Sequence, residues 1–397
     1  MGVLARMLAG ALAVKLCLSI ILMISAGLSL VLNLVTPASD WACCLIGMCR
    51  PDQLQAERSY KSKEQSLGVL QGALRLDSAN PYRWAEYGIA LDERGARLAA
   101  HKFFDRAAEL GSNTPPVLMV AANHYLLDSQ PDRALGLSKR VLSLTGEFDE
   151  LLFATYGQLG RPLRDFLGTA IPAEKRPATA WLQWLIPRAP ESDLIETWSW
   201  LRAHGCADDA IAGSLTQELW KRNSCRNAAE LWREWLGPGR GDYLRPELLT
   251  NRRFSAAPRP GPFDWTIEPN PAVELSMKNG LQLTFNGSEN LVYKNIRQRA
   301  AVVPGAYRFS AVVESKELTT NQGLSFHIYD ALSATRLDVA TPMVLGTTPR
   351  HVVEVEFTVK APACGVVIQL ERRASEKFDN KISGSFTIHE VSFRPHS

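Results

Sequence analysis

W-A-E-Y-G-I-A-L-D-E-R-G-A-R-L-A-A-H-K-F-F-D-R-A-A-E-L, residues Trp84 to Leu110, decides how the first half of the chain folds. Trp84, Tyr87 and Leu91 recur at the spacing of one helix face, and Gly88 leaves room for a second helix to approach. After a turn at Gly95, Ala100, Phe104 and Ala107 form the facing stripe. One period of 34 residues further on, Leu118, Ala121, Ala122, Tyr125, Ala134, Ser138 and Val141 repeat the arrangement. A hairpin with a single apolar face must bury it against another hairpin, so the period predicts a stacked array.

Period and pattern together resemble the tetratricopeptide repeat. That resemblance implies a concave side lined by the first helix of each hairpin. It places Tyr82, Ile89, Asp92, Met119 and Asn123 there, with Tyr82, Asp92 and Asn123 as the polar partner-binding positions. Asn80-Pro81 and Thr114-Pro115-Pro116 separate the elements, because proline disfavours helix in the residue before it. Gln53 to Leu76 reads as a preceding helix. Beyond Gly146 the helices continue while the register fades around Gly157 and Arg161-Pro162. From Pro177 to Leu236 seven tryptophans, at 181, 184, 198, 200, 220, 232 and 235, recur largely at helical spacing and read as core. Cys206 and Cys225 bracket the helix expected from Asp208 to Arg222, too far apart to bond to each other.

The chain of 397 residues is long enough for two or three domains. A net charge of +3 gives no sign of a nucleic-acid-binding surface, and seven scattered cysteines do not form a disulfide framework. Arg6 and Lys15 are the only charges before Asp40, and Leu16 to Val35 is an uncharged run of twenty residues. As a helix that run spans roughly the 30 Å hydrocarbon core, longer than the apolar region of a cleaved signal. A retained anchor is the leading reading and a cleaved signal the alternative. Positive charge ahead of the span favours export of the chain beyond Val35. Cys43, Cys44 and Cys49 come next, without the spacing of a zinc site.

After Gly237-Pro238-Gly239-Arg240-Gly241 the hydrophobic period changes from 3.6 to 2. Leu281, Leu283 and Phe285 alternate with polar residues, as do Tyr307, Phe309, Ala311 and Val313. The same holds for Leu324, Phe326 and Ile328, for Val353, Val355 and Phe357, and for Ile368 and Leu370. Antiparallel strands with one apolar face each predict a two-sheet sandwich. Three stretches, L-L-T-N-R-R-F with P-F-D-W-T-I, Q-R-A-A-V-V-P-G-A-Y-R-F-S and F-T-I-H-E-V-S-F, resemble the jelly-roll carbohydrate-binding modules. Arg252-Arg253 replace the Gly-acid pair of that group, so no metal or other cofactor is expected. Sugar recognition needs an aromatic face and planar polar groups. The resemblance makes Trp265, Tyr293 and Tyr329 the aromatic candidates, and Gln282, Asn286, Gln298, His327, Gln369 and Glu371 the polar ones. The sharpest expectation is that Ser325-His327-Tyr329 and Gln369-Glu371 share a sheet face as a shallow groove with Tyr329 as platform.

The fold class read from the sequence is multidomain: a transmembrane segment within 1–40, an all-α repeat array over 52–236 and a jelly-roll β-sandwich over 246–397. Glu354 and Glu356 lie on one strand face at a separation compatible with a glycosidase pair, but alternating acids on an exposed strand are the commoner case. No nucleophile elbow, phosphate-binding loop or HExxH motif occurs. The leading expectation is a non-enzymatic, membrane-anchored scaffold with its later domains on the periplasmic side. It would bind envelope proteins and an envelope glycan or polysaccharide, as an accessory to exopolysaccharide synthesis or export. The alternative is a protein-interaction role without sugar binding, and a glycoside hydrolase is a distant third.

Overall fold

Helices form where apolar residues recur at helical spacing, and the side chains of Asn80 and Asp208 cap the helices that follow them. The computed structural model describes residues 67–331, 336–378 and 380–396. The expected anchor over 16–35 and Cys43, Cys44 and Cys49 lie outside the described residues. Among the described residues no helix is long and apolar enough to cross a membrane. The chain splits into two compact units between Leu144 and Thr145.

The first unit holds α1 (Leu67–Leu76), α2 (Pro81–Asp92), α3 (Arg97–Leu110), α4 (Pro115–Leu127) and α5 (Pro131–Leu144). Asn80 caps α2, its side chain accepting from the Tyr82 N–H at 3.0 Å, and Pro81 occupies the first turn, where no donor is lost. Gly95, at φ +78°, supplies the left-handed turn into α3. Ala100, Phe104 and Ala107 are buried, as are Leu118, Ala121, Ala122, Tyr125, Ala134, Ser138 and Val141 in the next hairpin. A Cβ on Gly88 would lie 3.1 Å from the Phe104 ring, so the glycine sets how closely α2 and α3 pack. Trp84 is only half-buried: it lies on Phe103 with ring centroids 5.7 Å apart, and its indole N–H donates to the Ser78 carbonyl.

The second unit combines α6 (Asp149–Gln158), α7 (Lys175–Leu185), α8 (Glu191–Ala203), α9 (Asp209–Lys221) and α10 (Cys225–Leu236) with the sandwich. Trp181, Trp198, Trp220 and Trp232 are core, whereas Trp184, Trp200 and Trp235 are half-buried. One sheet orders β1 (Thr266–Ile267), β4 (Tyr293–Ala301), β9 (Gly365–Arg372), β6 (Ser325–Asp330) and β7 (Asp338–Ala340). The other orders β2 (Val273–Ser276), β3 (Leu281–Asn286), β10 (Ser383–Pro395), β5 (Gly305–Leu318) and β8 (Gly346–Val359). All the pairings are antiparallel. The apolar set of each strand meets in one core, as the period of 2 demands.

The helices of this unit pack on the sandwich through close contacts that only glycine permits. A Cβ on Gly213 would collide with the Pro260 carbonyl, and one on Gly365 with the Trp220 ring. Cys225, at the start of α10, is disulfide-bonded to Cys364, just before β9, across 139 residues of sequence. The split therefore falls inside the helical stretch, with the helices from Asp149 onward grouped with the sandwich.

Arg252 does a cation's work among three carboxylates. Its guanidinium sits between Asp242, Glu247 and Glu390 at 3.2–3.3 Å. Glu247 is fully buried and also accepts from the Phe393 N–H, the Ser392 hydroxyl and Arg394. The carboxylates are thus neutralised by side chains of the chain itself.

Candidate functional site

Two faces gather the residues that the sequence singles out. In the first unit, Ile89 and Asp92 of α2 and Met119 and Asn123 of α4 line one cleft of about 490 Å³. They meet because each sits one turn apart on the first helix of its hairpin. Tyr82 is 48% exposed and lies outside this lining. His124, which the sequence reading did not single out for a site, is a further part of the cleft. It is buried and stacked on Phe104, and its Nδ1 lies 3.0 Å from Asp92 Oδ2, while its Nε2 has no hydrogen-bond partner. Arg97 Nε stands 3.6 Å from the other Asp92 oxygen. The cleft thus offers an apolar floor edged by the acids Asp92 and Glu93, the amide of Asn123 and the basic groups of Arg97 and His124, chemistry suited to an extended peptide segment.

In the sandwich, β4, β9 and β6 are neighbours, and their register aligns Arg297, Gln369 and His327 in one row. Tyr329 stands in the row that also contains Val367 and Arg299. The two outward sets therefore share a face of one sheet. Tyr329 donates its hydroxyl to Gln369 Oε1 at 2.9 Å, and Gln369 Nε2 donates to the Lys294 carbonyl at 2.6 Å. Glu371 lies 3.5 Å from Lys294 Nζ and 4.0 Å from His327 Nε2, and His327 Nδ1 is 3.4 Å from Asp338. Burial raises the Tyr329 phenol above its ordinary pKa, with the Glu371 carboxylate adding to the shift. Gln369 and Glu371 are themselves buried. At one end of the face α9 covers the sheet: Arg299 lies over the Trp220 ring and donates to Gln217 Oε1 at 2.7 Å. Much of the hydrogen-bonding capacity of this face is spent internally.

Two aromatic candidates are corrected. Trp265 is 2% exposed and packs on Phe254, and Tyr293 is fully buried against Phe285. Neither presents a ring to a ligand. The reason at Tyr293 is a break in β4 pairing between Tyr293 and Ile296, which lets both side chains point inward. Gln298 is buried as well, donating to Thr250 and to the Phe263 carbonyl. Gln282 and Asn286 lie on β3, in the opposite sheet. Glu354 and Glu356 are exposed, and Glu356 is paired with Arg308 and His396. Among the described residues no cluster of His, Cys, Asp or Glu is arranged to hold a metal.

No protein-family model and no curated protein matches the chain. Solved structures similar to parts of it include TPR proteins and carbohydrate-binding modules. YrrB, a TPR protein with an unusual peptide-binding site, is 13% identical over 43% of this chain and 92% of its own, with a TM-score of 0.23. TmCBM61, solved with β-1,4-galactotriose, is 12% identical over 38% of this chain and 99% of its own, at 0.28. The CBM22-1 xylan-binding domain of Paenibacillus barcinonensis Xyn10C is 12% identical over 36% and 91%, at 0.24. At such scores the architecture rests on the packing and strand register of the chain itself.

Proposed function

We propose that the protein is a non-enzymatic, single-pass membrane scaffold of the bacterial envelope. Residues 16–35 hold it in the inner membrane, and the later residues stand on the periplasmic side. Its repeats take an extended segment of a partner envelope protein and its sandwich takes an envelope glycan, in the service of exopolysaccharide synthesis or export. The observation that carries this reading is the repeat cleft, where Ile89, Asp92, Met119 and Asn123 line one concavity. The Cys225–Cys364 disulfide supports export, since such bonds persist in oxidising compartments.

A second reading, protein binding without sugar, draws support from the internal bonding of Tyr329, Gln369 and Glu371. The test of the first is site-specific photo-crosslinking in cells, with the reactive group at position 119 or 123 of the full chain. Both positions should capture the same discrete partner, and Asp92→Arg should abolish capture. If neither position crosslinks, or capture ignores Asp92→Arg, the cleft is not a partner site. A glycan array probed with the full chain in detergent separates the two readings of the sandwich.

A further inference from the structure

On the outer face of the other sheet lies a second concavity, of about 290 Å³, assembled from β2, β3, β5 and β10. Its floor is a cross-strand row in which Thr387 of β10 stands between Gln282 of β3 and Glu314 of β5. One wall is the turn carrying Lys278 and Asn279, the other His389. The walls stand where they do for two backbone reasons. The β10–β5 register shifts between Ile388 and Glu390, leaving His389 as the extra residue of a bulge. Gly280, at φ +95°, lets the turn lie directly on that bulge, where a Cβ would collide with the Ile388 carbonyl.

The chemistry of the lining is unusual for a sheet face. Gln282, Asn279 and Thr387 make no side-chain hydrogen bonds within the described chain, so their donors and acceptors face the cleft unspent. Glu314 is engaged by Lys316 at 3.5 Å and by His389 at 3.3 Å. Lys278 has no ion-pair partner among the described residues, so the two lysines against one carboxylate leave the cleft net positive. No Trp, Tyr or Phe ring lines it, and its one imidazole, His389, is engaged with Glu314, so it has no free platform on which to stack the apolar face of a neutral sugar. Hydrogen bonds and charge are what remain. Its volume is at the small end of ligand sites, which run from roughly 300 to 1,000 Å³.

From these features we infer that this cleft binds one acidic, hydroxyl-rich sugar residue. Lys278 and Lys316 pair with its carboxylate, and Gln282, Asn279 and Thr387 bond to its hydroxyls. The inference rests on the glycan-binding reading above and names a face and a ligand class for it. The ion pairs are solvent-exposed, so each is modest and weakened by salt.

The experiment titrates the full-length chain in detergent with glucuronate, galacturonate and mannuronate oligosaccharides, each beside its carboxyl-reduced counterpart. At least one acidic oligosaccharide should bind about tenfold more tightly than its reduced form. That preference should shrink as salt rises through a Debye length of ~10 Å to ~3 Å. Lys278→Ala and Lys316→Ala should each weaken it about two- to fivefold. The double variant should erase the preference while circular dichroism stays unchanged, because both lysines are exposed. Tyr329→Ala should leave it intact. Equal binding of acidic and reduced forms overturns the inference. So does binding that is lost in Tyr329→Ala but kept in the lysine variants, although glycan binding itself then stands. If no saccharide binds at all, the inference and the glycan reading fall together.

Discussion

Arg372 is 1% exposed and has no carboxylate beside it among the described residues. Its guanidinium instead gathers oxygens from three loops: the carbonyls of Gln322 at 3.0 Å, Leu291 and Asn380, and the Thr320 hydroxyl at 3.2 Å. Burial pulls its pKa below the ordinary arginine range, though it stays charged. A planar fork with five donors can join these loops, and a single ammonium cannot span them. Arg372→Met should therefore destabilise the sandwich by ~3 kcal/mol or more, since each abandoned buried oxygen costs about 1–3 kcal/mol. Arg372→Lys should recover only part of that loss. Urea denaturation of the variants gives the comparison, and a loss under ~1 kcal/mol for Arg372→Met would mean that water replaces the guanidinium.

At the scale of elements, α9 shows how a helix end is fixed and how it responds to pH. The Asp208 carboxylate accepts from the Ile211 N–H at 3.0 Å and lies 3.1 Å from Lys175 Nζ. The bond from Ile211 is the largest reason that its pKa falls below the usual carboxylate value. A lowered folded pKa means stability that is present above the unfolded value of ~3.9 and lost as pH falls through the folded one. Asp208→Ala should cost ~1 kcal/mol at neutral pH. Asp208→Asn should keep the cap and flatten the acid limb of the stability curve. Equal acid sensitivity in wild type and Asp208→Asn would assign that limb to other carboxylates. The helices and strands themselves were legible, because Ala100, Phe104 and Ala107, or Leu281, Leu283 and Phe285, repeat at the period of their element. Tyr293 was not, since a pairing irregularity breaks the period. Nor was the cover of α9 over the sheet, which depends on Gly213 and Gly365 having no Cβ. The outward set at His327, Tyr329, Gln369 and Glu371 could be phased from alternation. That its members bond to one another depends on strand order, which alternation does not encode.

At the scale of the whole molecule, the disulfide between Cys225 and Cys364 ties the fold to its compartment. It closes a loop of 139 residues, for which lost chain entropy gives about 5 kcal/mol, an upper figure where the reduced chain keeps structure. In a reducing compartment the same pair would remain as thiols. Oxidation of this one pair therefore reports on which side of the proposed membrane span the second unit lies. The measurement uses a full-length chain with Cys17, Cys43, Cys44 and Cys49 changed to Ser and Cys206 to Ala. Cells are quenched in acid, the protein is denatured, and the two remaining cysteines are tagged with a maleimide polymer before and after reduction. An exported second unit should take no tags until it is reduced, and then two. A version lacking residues 1–40, retained in the cytoplasm, should take two at once. Because the full-length chain and the truncated one share every residue of the bond, strain or burial at the cysteines affects both alike, and only the compartment differs. If the full-length chain takes two tags without reduction, the second unit faces the reducing side and the proposed topology fails, whatever the sandwich binds.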